Sequence, residues 1–254
     1  MYFRQLLNDA TACASYLLGC KSTGEFAVVD AHADLVDDYV RLADGQGARI
    51  VAVVETHVQA DHVSGLPALV ERTGATPYLA AGAGVDFDHH PLVDGEVVRL
   101  GNTQLQAVST PGHALAHHAY VVIDHARSAD AWLVLTGDAL LVGDAGRPDL
   151  HAHGDHTVEE MARTLYASLT AKLLALPDDL VLCPAHYSGS LCGRGLSATP
   201  VSTIGYERRH NPALSFASED EFVAALTTDI PPAPDSQAAI VAVNRAGRPL
   251  AAAP

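Results

Sequence analysis

The feature that most constrains this chain is a punctuation that occurs four times. An apolar run with strand character ends, a turn residue follows, and a His or Asp appears. Residues 50–54 lead into Glu55-Thr56-His57-Val58-Gln59-Ala60-Asp61-His62. Residues 105–108 lead into Thr110-Pro111-Gly112-His113, 132–135 into Thr136-Gly137-Asp138, and 180–183 into Pro184-Ala185-His186. Strands sharing a sheet direction deliver the residues at their ends to one edge. Ligands on loops held by rigid strands are the usual way to build a site. Imidazole and carboxylate donors suit zinc, iron or manganese. One His after a strand is more often a surface or satisfied core residue; four in order form a pattern. The chain holds 14 His, nearly as many as its 15 Lys and Arg.

Further strands are predicted at 26–29 and 120–123, both rich in apolar residues and bounded by turn residues. Residues 34–43 repeat apolar positions at helical spacing. Thr157 with Glu160 fits a capping box before a helix whose Met161, Leu165, Leu169 and Leu173 recur every four residues up to Pro177. Ser218 with Glu221 repeats that pattern. Pro231-Pro232-Ala233-Pro234 marks a loop. A last short strand is expected at 239–243, with a turn at 245–247 and a frayed tail at 251–254. Strands and helices in this order predict helices packed on sheets.

Composition narrows the function. Thirty Asp and Glu against 15 Lys and Arg give a net charge of −15, which argues against nucleic acid or an anionic membrane as the main partner. The four Cys (Cys13, Cys20, Cys183 and Cys192) form no CxxC pair, so a reducing compartment is expected. No signal peptide is read at the N-terminus, and no run approaches the ~18 apolar residues of a membrane span. A cytoplasmic protein follows as the expectation, with residues 1–254 as a single domain.

The ordered motifs THVQADH, TPGH, TGD and PAH resemble those of the metallo-β-lactamase fold over nearly the whole chain. The resemblance implies an α/β fold: an αβ/βα four-layer sandwich of two mixed β-sheets flanked by helices, with metal at one edge. The stretches Gly146-Arg147-Pro148-Asp149-Leu150 and Glu207-Arg208-Arg209-His210-Asn211-Pro212 are similar to the persulfide dioxygenases, especially bacterial members associated with rhodanese domains. That subgroup implies a non-haem iron(II) enzyme, one Fe(2+) per chain on His57, His113 and Asp138. Zn(2+) also suits such donors. The implied reaction oxidises glutathione persulfide, or a similar low-molecular-weight persulfide, with O2 to sulfite and thiol. Asp61, His62 and His186 would then orient waters and ligands by hydrogen bonds, or form a second metal site.

One departure bears on this reading. The superfamily motif HxHxDH has Gln59 at its second His. In the zinc hydrolases of the glyoxalase II type, that His completes the first zinc site. In the dioxygenases it is not a ligand, so Gln59 counts more against a thioester hydrolase than against a dioxygenase. A third reading is a catalytically decayed metal-binding or sulfur-relay module. On the substrate side the resemblance assigns Arg147 and Arg208 to the glutathione carboxylates, and Tyr187 could bond the thiol peptide. Cys192 is either a sulfur carrier or a buried inert thiol. The segment His151–His156 matches HxHxDH letter for letter but follows no strand, and reads as an exposed loop. His117-His118 reads as surface or core. A separate rhodanese and a homodimer are partners the resemblance allows.

Overall fold

The computed structural model describes residues 1–151, 156–190 and 192–248. Its first sheet holds six strands in chain order. These are β1 (Tyr2–Asn8), β2 (Cys13–Cys20), β3 (Glu25–Val29), β4 (Arg49–Val54), β5 (Thr76–Ala80) and β6 (His90–Leu92). β1, β2 and β3 pair antiparallel; β3 to β6 run parallel. Parallel neighbours need crossovers, and α1 (Val36–Asp44) and α2 (Leu66–Thr73) supply two of them.

The second sheet has the order β14-β13-β10-β9-β8-β7. It is built from β7 (Val97–Leu100), β8 (Thr103–Ser109), β9 (His118–Asp124), β10 (Ala131–Gly137), β13 (Val181–Pro184) and β14 (Ser202–Thr203). β10 and β13 are parallel and the rest antiparallel. A two-residue hairpin, β11 (Leu140–Leu141) with β12 (Asp144–Ala145), follows β10. The remaining helices are α3 (Val158–Ser168), α4 (Ile204–His210), α5 (Glu219–Thr227) and α6 (Gln237–Ala246).

Period-two alternation explains the layering. On β9, Tyr120 and Val122 face the core between the sheets, while Ala119 and Val121 face Leu165 and Leu169 of the α3 segment. On β3, Ala27 and Val29 join that inter-sheet core, while Phe26 and Val28 pack with Tyr39 of α1 and Leu69 of α2. Strands buried on both faces read as near-continuous apolar runs, which is why six of them were visible in the sequence. The chain is a four-layer αβ/βα sandwich of two mixed sheets flanked by helices. Among the described residues, no helix is long and apolar enough to cross a membrane.

Thr157 and Glu160 make both bonds of a capping box: the Thr157 hydroxyl accepts from Glu160 N (3.2 Å) and Glu160 Oε2 from Thr157 N (2.9 Å). Ser218 makes only its own half; Glu221 Oε2 accepts from Ala217 N instead. The strand expected at 239–243 is a correction. Those residues lie inside α6, which Gly247 ends in the left-handed conformation at φ 60°. Its β-branched residues are diluted by Ala, and a helix places Gln237 and Asn244 on one buried side, which a strand would not. The N-terminal hairpin β1–β2 is the converse case, a pair of strands that the sequence reading did not identify. The expected frayed tail lies outside the described residues.

Candidate metal centre

The four strand ends converge as the motifs require. His57 follows β4, His113 follows β8, Asp138 follows β10 and His186 follows β13. All four side chains are buried. His113 Nε2 lies 3.5 Å and His57 Nε2 3.9 Å from the same carboxylate oxygen, Asp138 Oδ2. The two imidazoles meet edge-on, with centroids 5.0 Å apart.

Hydrogen bonds at the far nitrogens set the tautomers. His113 Nδ1 is 2.8 Å from the Arg147 carbonyl oxygen, which can only accept, so Nδ1 carries the proton. Thr56 Oγ1 donates to Asp30 and therefore accepts from His57 Nδ1 at 3.0 Å. Both Nε2 lone pairs are left bare and aimed at Asp138. Such outer partners orient ligating histidines and raise their basicity. Burial first, and then mutual repulsion, holds His57 well below the ordinary histidine range; burial also lowers His113. Both are neutral, as ligands must be.

Asp138 is held from two sides. Its N–H donates to His117 Nε2 (3.2 Å), and its Oδ1 lies 2.6 Å from His186 Nδ1. Burial would raise its carboxyl, but His186 outweighs that and keeps it ionised. Its Oδ2 is buried with no hydrogen-bond partner among the described residues. A buried, unpaired carboxylate oxygen costs stability unless a cation meets it. The donor set therefore fits a divalent metal: two bare imidazole nitrogens and one bare carboxylate oxygen, all facing one another.

The loop backbone is shaped for this. Gly137, between Thr136 and Asp138, sits at φ 53°, and a Cβ there would come within 2.6 Å of His117 Nε2 and 2.8 Å of Thr56. Gly112, before His113, sits at φ 136° against the backbone of Leu165, where a Cβ has no room. Asp30, which supports Thr56, adopts φ 52°, a strained value for a non-glycine residue.

This arrangement decides the kinship. A family description of the metallo-beta-lactamase superfamily matches residues 8–186, a span that includes every converging motif. The chain belongs to the metallo-beta-lactamase superfamily. It is 31% identical over 222 residues to persulfide dioxygenase ETHE1, mitochondrial, of Homo sapiens; the match covers 87% of this chain and 78% of that protein. It resembles the structure of ETHE1 from Myxococcus xanthus with a TM-score of 0.83 and 32% identity, covering 97% of this chain and 99% of that one. A metallo-beta-lactamase structure from Staphylococcus aureus gives a TM-score of 0.91 at 32% identity, over 98% of this chain and 74% of that one.

Gln59 is buried but directs its amide elsewhere. Its Nε2 donates to Asp30 Oδ1 (3.2 Å) and toward Glu55 Oε2 (3.4 Å). Burial raises both carboxyls, Asp30 to about 6 and Glu55 to about 8, so a neutral donor suits the gap between them. The loop carrying Gln59 is fixed by Asn244 of α6, whose amide donates to the carbonyls of Gln59 and His62, 2.9 Å each, and whose oxygen accepts from Ser64 N. Sequence reasoning missed Asn244 because the strand assignment gave it no face.

His151 departs from the exposed-loop reading at its own position, while His156 is exposed as expected. His151 is half-buried, with its ring centroid 5.1 Å from His113 and 5.7 Å from His57. His57, His113 and His151 each place a ligand nitrogen within 4.8 Å of the others. The two-residue strand β12 ends well before His151; the loop through Arg147 carries it in, and strand spacing gives no signal for that. Residues 152–155 of the look-alike motif fall outside the described residues.

The substrate-side residues are placed differently. Arg147 is buried, bonds Asp149 through Nε (3.0 Å) and Nη2 (2.7 Å), and donates to the Pro231 carbonyl; its own carbonyl orients His113. Arg208 bonds Asp178 and the carbonyls of Leu174 and Leu176, so its partners lie in the segment after α3. The Tyr187 hydroxyl donates to Asp9 (2.7 Å). Cys192 is buried next to His186 and Asp138, and burial pushes its thiol up to about 12, the state of an inert thiol.

Proposed function

We propose that this chain is a non-haem iron(II) persulfide dioxygenase that oxidises glutathione persulfide, or a similar low-molecular-weight persulfide, with O2 to sulfite and thiol. The observation that carries the reading is the two-imidazole, one-carboxylate triad with Gln59 turned to Asp30 and Glu55. A dinuclear zinc hydrolase would need an imidazole where Gln59 stands. Similarity to persulfide dioxygenases over most of the chain supports the same choice.

His57, His113 and Asp138 would hold one metal per chain. Iron(II) there would supply open coordination positions and the electrons needed to activate O2. The protein's own part is positional. Thr56 and the Arg147 carbonyl keep the imidazoles neutral and aimed; His186 holds the Asp138 carboxylate, and His117 accepts from the Asp138 backbone N–H. The buried surroundings keep bulk water from the reacting sulfur. A substrate carboxylate reaching Arg147 or Arg208 would compete with Asp149 or Asp178 for the guanidinium.

The test is oxygen consumption by iron(II)-loaded protein on adding glutathione persulfide, with His113→Ala as control. Uptake with sulfite formed, and neither in the variant, is the expected result. No uptake by fully iron-loaded protein overturns it, and thioester hydrolysis by the zinc-loaded form becomes the next assay. Gln59→His separates the two chemistries: it should raise zinc occupancy without raising oxygenase rate.

A further inference from the structure

The stretch Glu207-Arg208-Arg209-His210-Asn211-Pro212 stands out in the sequence, yet both its arginines are committed to Asp178. Arg208 bonds that carboxylate, and Arg209 Nη1 donates to it at 3.3 Å. Glu207 and Asn211 do something else. Asn211 ends α4 four residues after Glu207, so the two side chains share one face. Both are buried.

Glu207 Oε2 accepts from Gly143 N (2.8 Å) and from Asn211 Nδ2 (2.9 Å), and Oε1 accepts from the Ser202 hydroxyl (2.5 Å). The Asn211 amide also donates to the carbonyls of Leu141 (3.2 Å) and Asp144 (3.0 Å), and its oxygen accepts from Ala213 N (2.9 Å). Two side chains thus bond three residues of the β11–β12 hairpin: Leu141, Gly143 and Asp144. The hairpin needs that support. Its strands have two residues each, too few to hold their shape alone.

What the hairpin joins gives those bonds their consequence. It begins two residues after Asp138 and ends two residues before Arg147. At its start the Thr136 hydroxyl donates to the Leu140 carbonyl (2.6 Å). At its end Gly146 passes so near Asp138 that a Cβ there would lie 1.9 Å from the Asp138 carbonyl oxygen and 3.1 Å from His113 Nδ1. One residue later the Arg147 carbonyl accepts from His113 Nδ1 at 2.8 Å. The position of the hairpin therefore decides where that carbonyl stands.

We propose that Glu207 and Asn211 are positioning residues of the metal centre, acting through the β11–β12 hairpin to hold the Arg147 carbonyl against His113. Without them the hairpin shifts and the His113 Nδ1 bond lengthens. The ring then loses the partner that leaves its Nε2 lone pair bare and aimed at Asp138. The proposal rests on the His57/His113/Asp138 centre and on no particular reaction there.

Cobalt(II) is the probe, titrated into the metal-stripped full chain and read at the visible band that His113→Ala abolishes. Asn211→Ala should weaken cobalt affinity at that band about tenfold in competition with a chelator, and should shift the band. In metal-free protein with isotope-labelled histidine, the His113 Nδ1–H resonance should broaden as the proton exchanges with water. Glu207→Gln should do the same to a smaller extent, since its amide keeps one acceptor oxygen, and it decides the matter if Asn211→Ala does not fold. Thr203→Ala controls for loosening of α4. It removes the hydroxyl that accepts from Tyr206 N (3.2 Å) at the start of that helix, outside the hairpin. It should lower the thermal midpoint and leave band, affinity and resonance as in unmutated protein. The proposal is overturned if Asn211→Ala and Glu207→Gln leave affinity and resonance unchanged, or if Thr203→Ala reproduces their effects. If cobalt forms no band that His113→Ala abolishes, the centre itself is misassigned and the proposal falls with it. Absence of oxygen uptake with the expected cobalt results would sink the dioxygenase reading alone.

Discussion

The two donor clusters share one hydrogen bond, between Asp138 and His186, yet their donors are left in opposite states. In the first, the His57 and His113 Nε2 atoms lie 3.9 and 3.5 Å from Asp138 Oδ2, which has no hydrogen-bond partner among the described residues. In the second, Cys13, Asp61, His62 and His186 bond one another at 2.5 to 3.5 Å. Asp61 is held well below the carboxylate range and His186 well above the histidine range, each against burial, because each faces opposite charge. The contrast teaches what an outer hydrogen bond does. Where the far nitrogen of a His meets a carbonyl or hydroxyl, the imidazole stays neutral and its near lone pair is bare. Where both nitrogens meet carboxylates, the ring takes a second proton and the cluster satisfies itself.

Asp138→Ala should break the comparison most. It removes the unpaired oxygen of one cluster and the His186 partner of the other. Metal content per chain at the first centre should fall to background and oxygen uptake with it, a loss above about 100-fold, since even outer partners are worth 10- to 100-fold. Retained stoichiometric iron would contradict the ligand assignment.

Thr56→Val should sharpen it. Valine keeps the shape but cannot accept from His57 Nδ1, so iron(II) affinity should drop roughly 10- to 100-fold. The alkylation rate of Cys13 in the second cluster should stay as in the unmutated protein. Faster alkylation together with the affinity loss would show that the effect is general loosening of the loop.

His151→Ala tests the residue that the loop delivers. With a third imidazole beside His57 and His113, its removal should weaken metal binding at the first centre by about tenfold, measured by competition with a chelator. Unchanged affinity would leave His151 as a neighbour only.

The smallest effect is on stability against pH. Burial holds His117, beside the first cluster, at about 3, and His32, stacked on His62 of the second, at about 4. Both lie below the ordinary 6.5, so from pH 6.5 down to about 4 for His32 and about 3 for His117 the unfolded chain binds protons that the folded chain refuses. Their contribution to stability is fully present above pH 6.5 and is lost as pH falls through that window. His62 and His186, held charged, act with the opposite sign, so the net slope is a difference. The variant comparison isolates the term. In metal-stripped protein, His32→Asn should close part of the gap between urea midpoints at pH 7 and pH 5. An unchanged gap would mean that His32 titrates alike in both states.

Most of the strand-end donors were legible in the sequence. His57, His113, Asp138 and His186 each follow an apolar strand, and a strand's end is fixed by local pattern; their convergence also needed β4 of the first sheet to face β8, β10 and β13 of the second. The same logic failed at three places. β2 reads as an apolar stretch with Ser15 and Tyr16 in it, and nothing in its composition says that its first residue, Cys13, meets His186 across 173 positions. His151 follows Gly146–Leu150, a turn-rich stretch whose path depends on what Arg147 binds. The 239–243 stretch has strand-like residues, but its helix is selected by the buried face that presents Asn244 to the carbonyls of Gln59 and His62.

The sequence by itself therefore determined that helices pack on sheets and that His and Asp donors stand at strand ends, because hydrophobic period and turn chemistry act over a few residues; the four-layer αβ/βα order came only from the resemblance to the metallo-β-lactamase fold. Only the tertiary structure decided how those donors are used. It turned Gln59 toward Asp30 and Glu55, committed Arg147 to Asp149, and brought Cys13 to Asp61, His62 and His186. Those choices depend on charge balance and burial among groups far apart in the chain, and such quantities exist only once the chain has folded.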